Sequence, residues 1–231
     1  MKYSIIIPIF KEEKNILKLM KLLNHYLNGK IKFEIIFVDD NSMDNSKKIF
    51  LKYKKKNMRF LSRKIEPRDL SKSVVFGFEK AKYQNLIVMD GDLQHHPKDI
   101  LKLIKKYENS NSDIVIGKRN LRNFKIANLN PIRFIFSILL NKIFNMLFKK
   151  TIYDPMSGFF VIKKKIYLDC KNRLMLVGYK ILIDLIVSSK IQPKIQEIQI
   201  DFKVRDRGFS KMRLKILIQL FYFLLIKLIK K

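Results

Sequence analysis

One short segment of the sequence has residue types and spacing that could bind a metal ion. In Asn85–Pro97 (NLIVMDGDLQHHP), an apolar run is followed by Asp90 and Asp92, with Gln94 close behind. Two carboxylates and an amide oxygen are hard ligands of the kind that suits Mg²⁺ or Mn²⁺. The segment therefore predicts a metal site, with the alternative that Asp92 caps the helix that follows.

His95 and His96 lie in the same segment and could also be considered as ligands. Adjacent histidines in a loop between a strand and a helix seldom both reach one metal ion, and no cysteine or further histidine is nearby. We therefore expect them to pack and to form hydrogen bonds within the loop.

Two further segments place carboxylates at turns. Phe37–Ser46 (FVDDNSMDNS) carries Asp39 and Asp40 at the end of an apolar run, where they could hydrogen-bond a base or a ribose. The alternative is a helix-capping turn, for which Asp44 would suffice. Asp154–Gly158 (DPMSG) forms a turn that places a carboxylate ahead of a strand.

A basic segment lies near the end of the chain. Asp201–Lys211 (DFKVRDRGFSK) holds Arg205, Arg207 and Lys211 around Gly208. Such a loop could close over phosphates, because arginine presents several donors to an anion. The alternative is a solvated basic loop.

The elements that must position these residues alternate regularly in the first half of the chain. The predicted strands are Ser4–Ile9, Phe33–Val38, Met58–Leu61, Asn85–Met89 and Asp113–Ile116, and the predicted helices are Glu12–Leu27, Asp44–Lys55, Leu70–Lys82 and Pro97–Tyr107. Apolar strands that alternate with amphipathic helices indicate an α/β fold, with a mostly parallel Rossmann-like sheet covered on both faces. Ligands of such sheets bind beyond the carboxyl ends of the strands.

The second half has a different character. Pro131–Phe148 is a predicted helix in which Arg133, Ser137, Asn141 and Asn145 form a narrow polar stripe on an otherwise apolar surface. Ile216–Ile229 is a second apolar segment, and its 14 residues would reach about 21 Å, short of a bilayer core of about 30 Å. We expect both helices to lie in a membrane interface, with packing as a lid or a dimer contact as the alternative.

The composition limits the classes of function. The 231 residues carry a net charge of +29 and one cysteine, Cys170, which excludes an internal disulfide and a zinc site with several cysteines. The charge favours a polyanionic partner: a nucleic acid, an anionic membrane or a phosphorylated substrate. No zinc-finger, helix-turn-helix or RNA-recognition pattern accompanies it, which argues against nucleic acid. The short apolar start, which contains Pro8, does not resemble a signal peptide, so we expect the cytoplasmic face of a membrane.

Six segments in order resemble the family-2 glycosyltransferases, and within them the dolichyl-phosphate mannose synthase and polyprenyl-phosphate glycosyltransferase branch. They are SIIIPIFKEEKNI, EIIFVDDNSMDNS, IVMDGDLQHHP, YDPMSGFFVI, GYKILIDLIV and FKVRDRGFSKM. The resemblance runs from about residue 3 to residue 213. It implies a GT-A fold and an inverting, metal-dependent transfer of a sugar from a nucleotide-sugar to a polyprenyl phosphate.

The resemblance also implies roles for individual residues. The nucleotide-sugar site would comprise Pro8, Phe10, Glu12, Asp39, Asp40, Asp90, Asp92, Gln94 and Lys211. The metal ion, Mg²⁺ or Mn²⁺, would be held by Asp90, Asp92 and Gln94. The lipid phosphate would meet Arg119, Arg133 and Ser137, and the residues expected to act in catalysis are Asp92, Arg119, Arg133 and Arg205.

The sequence departs from the family pattern at three places. Phe10, Lys11 and Glu12 stand where the family usually has tyrosine, asparagine and glutamate. Asn41 replaces the glycine that usually follows the aspartate pair, and Leu70–Ser73 replaces a glycine-rich turn. These changes bear on the identity of the donor more than on the reaction.

The expected activity is therefore transfer of mannose or glucose from a GDP- or UDP-linked donor to a dolichyl or undecaprenyl phosphate at a membrane surface. Residues 1–212 would form the catalytic domain and residues 213–231 a membrane-associating helix, with a small membrane subunit as a further partner. The alternative within the family is transfer to a saccharide hydroxyl, which needs a base. Asp154 is the first candidate for that base.

Overall fold

The structure is a computed structural model that describes residues 1–119, 138–139, 141–146, 151–176, 178, 181–202, 223 and 226–227. The strands are β1 (Lys2–Ile9), β2 (Lys32–Asp39), β3 (Met58–Ser62), β4 (Asn85–Val88), β5 (Ile114–Lys118), β6 (Phe160–Lys163) and β7 (Ile195–Gln199). The helices are α1 (Ile16–Leu27), α2 (Ser46–Tyr53), α3 (Leu70–Lys80), α4 (Asp99–Ser110), α5 (Lys164–Cys170) and α6 (Ile181–Ser188), and a short 3₁₀ turn, Lys171–Arg173, follows α5.

The strands of the described residues form one sheet in the order β3-β2-β1-β4-β6-β5-β7. Strands β1 to β4 are parallel, and β7 runs parallel to β5. Strand β6 is antiparallel to both of its neighbours, β4 and β5. The expected α/β fold with a mostly parallel sheet is confirmed, and the expected strands of the first half are present with ends that differ by one or two residues.

Apolar side chains alternate between the two faces of the sheet because successive strand residues point in opposite directions. On β1, Ile6 joins one core, while Ile5 and Ile7 join the other. Helices α1, α2 and α4 cover the face that contains Ile5, and α3, α5 and α6 cover the face that contains Ile6. The two cores therefore cover both faces of the sheet.

The chain reverses its direction of strand addition between β1 and β4. Strands β2 and β3 lie on one side of β1 and β4 lies on the other. At such a switch point the loops after the two central strands diverge and leave a crevice, which is the usual ligand site of this architecture. The loops that follow β1, β2 and β4 carry Phe10, Asp40 and Asp90 respectively.

None of the helices in the described part of the chain is both long and apolar enough to cross a membrane.

Candidate active site

The aspartate pair at the end of β2 divides into two environments. The Asp40 carboxylate accepts hydrogen bonds from Arg63 Nε at 2.7 Å and from the Asp69 backbone N–H at 2.7 Å. It therefore holds the connection between β3 and α3 in place. Asp39 is also buried, but its Oδ1 has no hydrogen-bond partner in the structure, while Oδ2 accepts the Ser42 N–H. The Asp39 oxygen is thus the one suited to accept a hydrogen bond from a ligand.

Burial has an electrostatic consequence at Asp39. Loss of contact with water raises the pKa of its carboxyl, and the hydrogen bonds from Ser42 offset part of that rise. The negative charges of Asp44 and Asp40 raise the pKa further. A ligand N–H that reached Oδ1 would stabilise the ionised form, because it would pair an acceptor that is otherwise buried alone.

Three turns after the central strands use left-handed backbone conformations. Lys11, Asn41 and Leu93 have φ values of 55°, 60° and 65°. Asparagine tolerates this region better than other residues with a Cβ, so Asn41 can occupy the position where the family usually has glycine. Lys11 has no such tolerance, and its turn is fixed by a hydrogen bond from its backbone N–H to Ser42 Oγ at 2.8 Å. The loops after β1 and β2 are therefore tied together.

The residues expected near the nucleotide lie along the first strand and its loop. Pro8 is buried inside β1, opposite Val38, so it supports the pocket from within the sheet. The Phe10 ring is partly exposed and is covered by the Arg68 guanidinium, whose Cζ lies 4.7 Å from the ring centre. Glu12 accepts a hydrogen bond from Asn15 at 2.7 Å.

The acidic segment after β4 forms a turn and not a helix cap. Asp92 is buried, and its Oδ1 accepts the Gln94 N–H at 3.1 Å. Because α4 begins only at Asp99, Asp92 does not cap it. The side chain of Asp90 is 32% exposed. A Cβ on Gly158 would lie 2.5 Å from its Oδ2, so only glycine leaves room for this carboxylate.

The donor set of this turn fits a divalent ion that shares its ligands with a substrate. Asp90, Asp92 and Gln94 offer two carboxylates and an amide oxygen. Among the described residues, no group of three or more acidic, histidine or cysteine side chains is arranged to bind a metal ion by itself. Mg²⁺ and Mn²⁺ sites with one or two carboxylates usually complete their coordination with substrate phosphate oxygens and water. The turn therefore fits an ion that arrives with a diphosphate.

An arginine and an aspartate form the best-paired group of the site. Arg119 donates from Nε and Nη2 to the two oxygens of Asp154, both at 2.7 Å, and its backbone N–H bonds the same carboxylate. Asp154 is fully buried. Burial alone would lower the pKa of Arg119, but the carboxylates of Asp154 and Asp90 raise it above its usual value. Arg119 thus stays a cation close to the candidate metal turn.

The Asp154–Gly158 segment is positioned by the opposite edge of the sheet. Glu197 on β7 accepts the backbone N–H groups of Tyr153 and Asp154. Ser157 donates to the Gly117 carbonyl on β5 at 2.7 Å. The turn that the sequence indicated as a carboxylate ahead of a strand therefore connects β5 and β7 to Arg119 and Asp90.

Other predicted site residues fall outside the described part of the chain. They are Arg133, Ser137, Arg205 and Lys211. Their roles remain predictions from the sequence.

The described part of the predicted interface helix is helical, and its two asparagines face the domain. Asn141 Nδ2 donates to the Tyr153 carbonyl, and the Asn145 amide both donates to and accepts from the Ile152 backbone. Phe144 is buried in the core. Met146, in contrast, is 72% exposed. The polar stripe that the sequence shows is therefore an inner surface at these positions.

The C-terminal segment is joined to the domain by a buried ion pair. Lys227 Nζ lies 2.7 Å from Asp184 Oδ1 and donates to the Arg173 carbonyl at 2.8 Å. Phe223 is buried in the same core as Phe144. At these residues the segment packs against the domain.

Sequence reasoning missed two buried partners. Arg63 pairs with Asp40, and His95 lies 3.5 Å from Asp90. The Arg63 pairing has no local spacing signal, because Asp40 is 23 residues away in sequence. For His95, the adjacent acidic turn was the available signal.

Comparison with known proteins identifies a matching family. The sequence profile described as "Glycosyl transferase family 2" matches residues 4–170. A dolichol-phosphate mannosyltransferase of Pyrococcus furiosus is 34% identical over 221 residues, which cover 92% of this chain and 60% of the relative. A dolichol-phosphate mannosyltransferase of Saccharomyces cerevisiae is 33% identical over 94% of this chain and 84% of the relative. The chain thus spans about three fifths of the length of the archaeal relative.

Solved structures share the fold at much lower identity. Glucosyl-3-phosphoglycerate synthase from Mycobacterium tuberculosis, crystallised with Mn²⁺, UDP and phosphoglyceric acid, superimposes with a TM-score of 0.75 at 15% identity. The match covers 98% of this chain and 78% of that one. A likeness at this identity supports the architecture described above.

Proposed function

The chain belongs to glycosyl transferase family 2, and from that premise we propose that it transfers a sugar from a nucleotide-sugar to a polyprenyl phosphate, with inversion and with a divalent metal ion. Relatives named dolichol-phosphate mannosyltransferase match more than nine tenths of the chain, which favours mannose as the sugar, with glucose next. We expect the nucleotide of the donor to be GDP or UDP, and the panel of nucleotide-sugars described below distinguishes them.

The observation that carries this proposal is Arg119, fixed by Asp154 beside the candidate metal turn. The pairing uses two of the five N–H donors of the guanidinium, so three remain for an anion. A cation is needed at this point because the lipid phosphate must approach a donor diphosphate that is also negative. Arginine suits the task, since its planar donors match phosphate oxygens and it keeps its charge.

On the donor side, the acidic turn would work with the aspartate after β2. Asp90, Asp92 and Gln94 would hold the divalent ion, which supplies positive charge to the departing diphosphate. Asp39 would orient the nucleotide through its unpaired Oδ1. These contacts would place the anomeric carbon and would stabilise the charge that develops on the leaving group.

On the acceptor side, the chemistry needs no protein base. The second pKa of a phosphate monoester is about 6, so the nucleophilic oxygen is already largely ionised near neutral pH. A hydroxyl acceptor would require a base, and the candidate was Asp154. Asp154 is fully buried and both of its oxygens accept from Arg119, so it is poorly placed to take a proton from a substrate. This favours the phosphate acceptor.

We propose a peripheral position on the cytoplasmic face of a membrane. Leu139 and Met146 are exposed on the outer side of the helical segment, and Tyr153 beside it is 66% exposed. Lys118 Nζ lies 4.3 Å from the Tyr153 ring centre. Exposed apolar groups together with tyrosine and lysine suit the boundary between lipid headgroups and acyl chains.

The test of the activity is a panel of labelled nucleotide-sugars incubated with the purified chain and a short polyprenyl phosphate. We expect label from one donor to enter an organic-extractable product that mild acid releases. Label that entered only a saccharide, with the polyprenyl phosphate unused, would contradict the proposal.

The test of the metal turn is Asp92→Ala. The variant should lose transfer by at least about 10³-fold, because the charge of the leaving diphosphate would no longer be neutralised. Glu79→Ala is the matched control, since it removes an exposed carboxylate from the last turn of α3. If a folded Asp92→Ala protein retained metal-dependent turnover, the assignment of Asp92 as a metal ligand would be wrong.

A further inference from the structure

His95 is buried directly beside one of the candidate metal ligands. The residue is 1% exposed, and its Nε2 lies 3.5 Å from Oδ2 of Asp90. This distance is long for a hydrogen bond. Hydrogen bonds of catalytic sites are often long before ligands bind and shorten in the complex. The histidine is therefore in a position to contact this carboxylate.

Two phenylalanine rings fix the orientation of the imidazole. The Phe159 ring lies 5.2 Å away at an angle of 31°, and the Phe202 ring lies 5.0 Å away at 64°. His95 and Phe202 also form an antiparallel backbone bridge. An imidazole held between two rings and by its own backbone cannot swing its Nε2 away from Asp90 without disturbing both contacts.

The other ring nitrogen indicates where the proton lies. His95 Nδ1 is buried and has no hydrogen-bond partner in the structure. An N–H at that atom would be buried without an acceptor, which is more costly than an unprotonated nitrogen there. The structure therefore favours the tautomer with its proton on Nε2, the atom that faces the carboxylate.

We propose that His95 is a positioning residue whose Nε2–H donates to Asp90 and orients that carboxylate toward the metal ion. The inference rests on the proposed function, because it assumes the metal turn of Asp90, Asp92 and Gln94. Asp90 is then fixed from two sides, by Gly158 against its oxygens and by His95 at Oδ2. Partners that orient a metal ligand in this way typically change metal affinity about 10–100-fold when they are removed.

Phe202 connects this arrangement to the acceptor side of the site. Its ring contacts His95, and Arg119 Cζ lies 5.6 Å from the centre of the same ring. A change at Phe202 should therefore affect both groups, whereas a change at His95 should act mainly on the metal.

The experiment measures Mn²⁺ binding to the purified full chain, by electron paramagnetic resonance, in the presence of GDP and separately of UDP. His95→Leu should weaken Mn²⁺ binding about 10–100-fold. His95→Gln should restore most of the affinity, because its amide N–H can donate to Asp90. His96→Leu is the matched control: the neighbouring histidine packs against Tyr26, its Nδ1 accepts the Lys98 N–H, and its loss should leave the affinity unchanged.

Thermal unfolding separates positioning from packing. Leucine fills a similar space and removes a buried unpaired nitrogen, so His95→Leu should keep the melting temperature of the native chain. Equal losses of Mn²⁺ affinity in the leucine and glutamine variants, together with lower melting temperatures, would overturn the proposal in favour of a packing role.

A double variant tests whether His95 acts through Asp90. Added to Asp90→Asn, His95→Leu should weaken Mn²⁺ binding no further. If the native chain binds no Mn²⁺ with either nucleotide, the metal assignment under the proposed function fails, and this inference fails with it. If the native chain binds Mn²⁺ and His95→Leu binds it equally well, only the role of His95 is refuted.

Discussion

Two helical segments that look alike in sequence face the domain in opposite ways. Helix α1 buries Leu19 and Leu23 and exposes lysines such as Lys21, as expected for a helix on the surface of an α/β domain. Residues 141–146 instead turn Asn141 and Asn145 toward the domain and expose Met146. In both segments the polar and apolar residues repeat with the period of a helix. The period shows that each helix has a polar and an apolar stripe, but it does not show which stripe faces the domain.

The difference has a local cause. The chain at Ile152 and Tyr153 is not part of a strand, so its backbone groups need partners from elsewhere. The asparagines supply them, while Phe144 anchors the same segment in the core. Residues 141–146 thus attach to the domain through two asparagines as well as Phe144 and leave Met146 outside, whereas α1 attaches through apolar side chains.

The largest test of this contrast is Lys227→Met, which removes the cation that attaches the C-terminal segment. Asp184 would keep its hydrogen bonds from the Met175 and Leu176 N–H groups but would remain buried without its cationic partner, and we expect a loss of about 3 kcal/mol in the free energy of unfolding. The loss should be visible as a lower denaturant midpoint with an unchanged m-value.

The matched control for this change is Lys190→Met, since Lys190 is exposed. Its effect should stay within about 0.5 kcal/mol. If Lys227→Met is as stable as the control, the ion pair does not attach the C-terminal segment to the domain. The contrast between segments attached by polar contacts and helices attached by apolar contacts would then lose this example.

The next test is Asn145→Leu, which replaces one of the two asparagines that face the domain with an apolar residue. The substitution leaves the N–H and carbonyl of Ile152 without their side-chain partner, and we expect a loss of about 2 kcal/mol by chemical denaturation. If the asparagine instead faced water, leucine would change stability little.

Met146→Ser, one position further along, is its matched control. Stability should remain within about 0.5 kcal/mol of native, while binding to vesicles that contain anionic lipid should fall in a flotation assay. A drop in stability with vesicle binding intact would mean that Met146 packs inward, contrary to its exposure.

The sequence predicted strands β1 to β4 well because their signals are local. Strand β1 was expected at Ser4–Ile9 and spans Lys2–Ile9. The prediction was close because a short run of apolar, β-branched residues strongly favours a strand that is buried on both faces. The same holds for β2 and β4. The carboxyl ends of these strands then place the aspartates without further information.

The rest depends on partners that are distant in sequence. Strand β6 is apolar whether it runs parallel or antiparallel, so its antiparallel insertion between β4 and β5 has no sequence signature. Asp154 was considered as a base because it is a carboxylate in a turn ahead of a strand, and only the fold reveals its pairing with Arg119. Which side of a polar stripe faces inward is likewise decided by the neighbouring backbone.

A smaller effect is expected on the donor side from Lys11→Asn. Lys11 has φ 55°, a left-handed conformation that costs most residues about 1–2 kcal/mol and asparagine less. We expect the variant to be more stable by up to about 1 kcal/mol, which would raise the melting temperature by about 2–4 °C. Lys21→Asn, in the middle of α1, removes the same charge and should instead destabilise slightly, because asparagine is a poorer helix former. Equal shifts in both variants would assign the effect to charge.

The smallest effect concerns pH and Asp39. Burial raises the pKa of this carboxyl in the folded chain, so the folded state holds its proton more tightly than the unfolded state. The resulting stability is present below the unfolded pKa and is lost as pH rises through the folded pKa. Asp39→Asn cannot ionise, so its melting temperature should rise relative to that of the native chain as the pH is raised above about 4, the ordinary pKa of an aspartate.

The same substitution should weaken nucleotide binding at neutral pH, because the amide is a poorer acceptor than the carboxylate at the unpaired Oδ1 position. A variant that is more stable yet binds less well is the pattern expected where a buried charge is kept for a ligand. A pH-independent difference in melting temperature would show that Asp39 does not titrate in this range. Unchanged GDP and UDP affinity would remove Asp39 from the nucleotide site, and its buried Oδ1 would then have no role in binding the ligand.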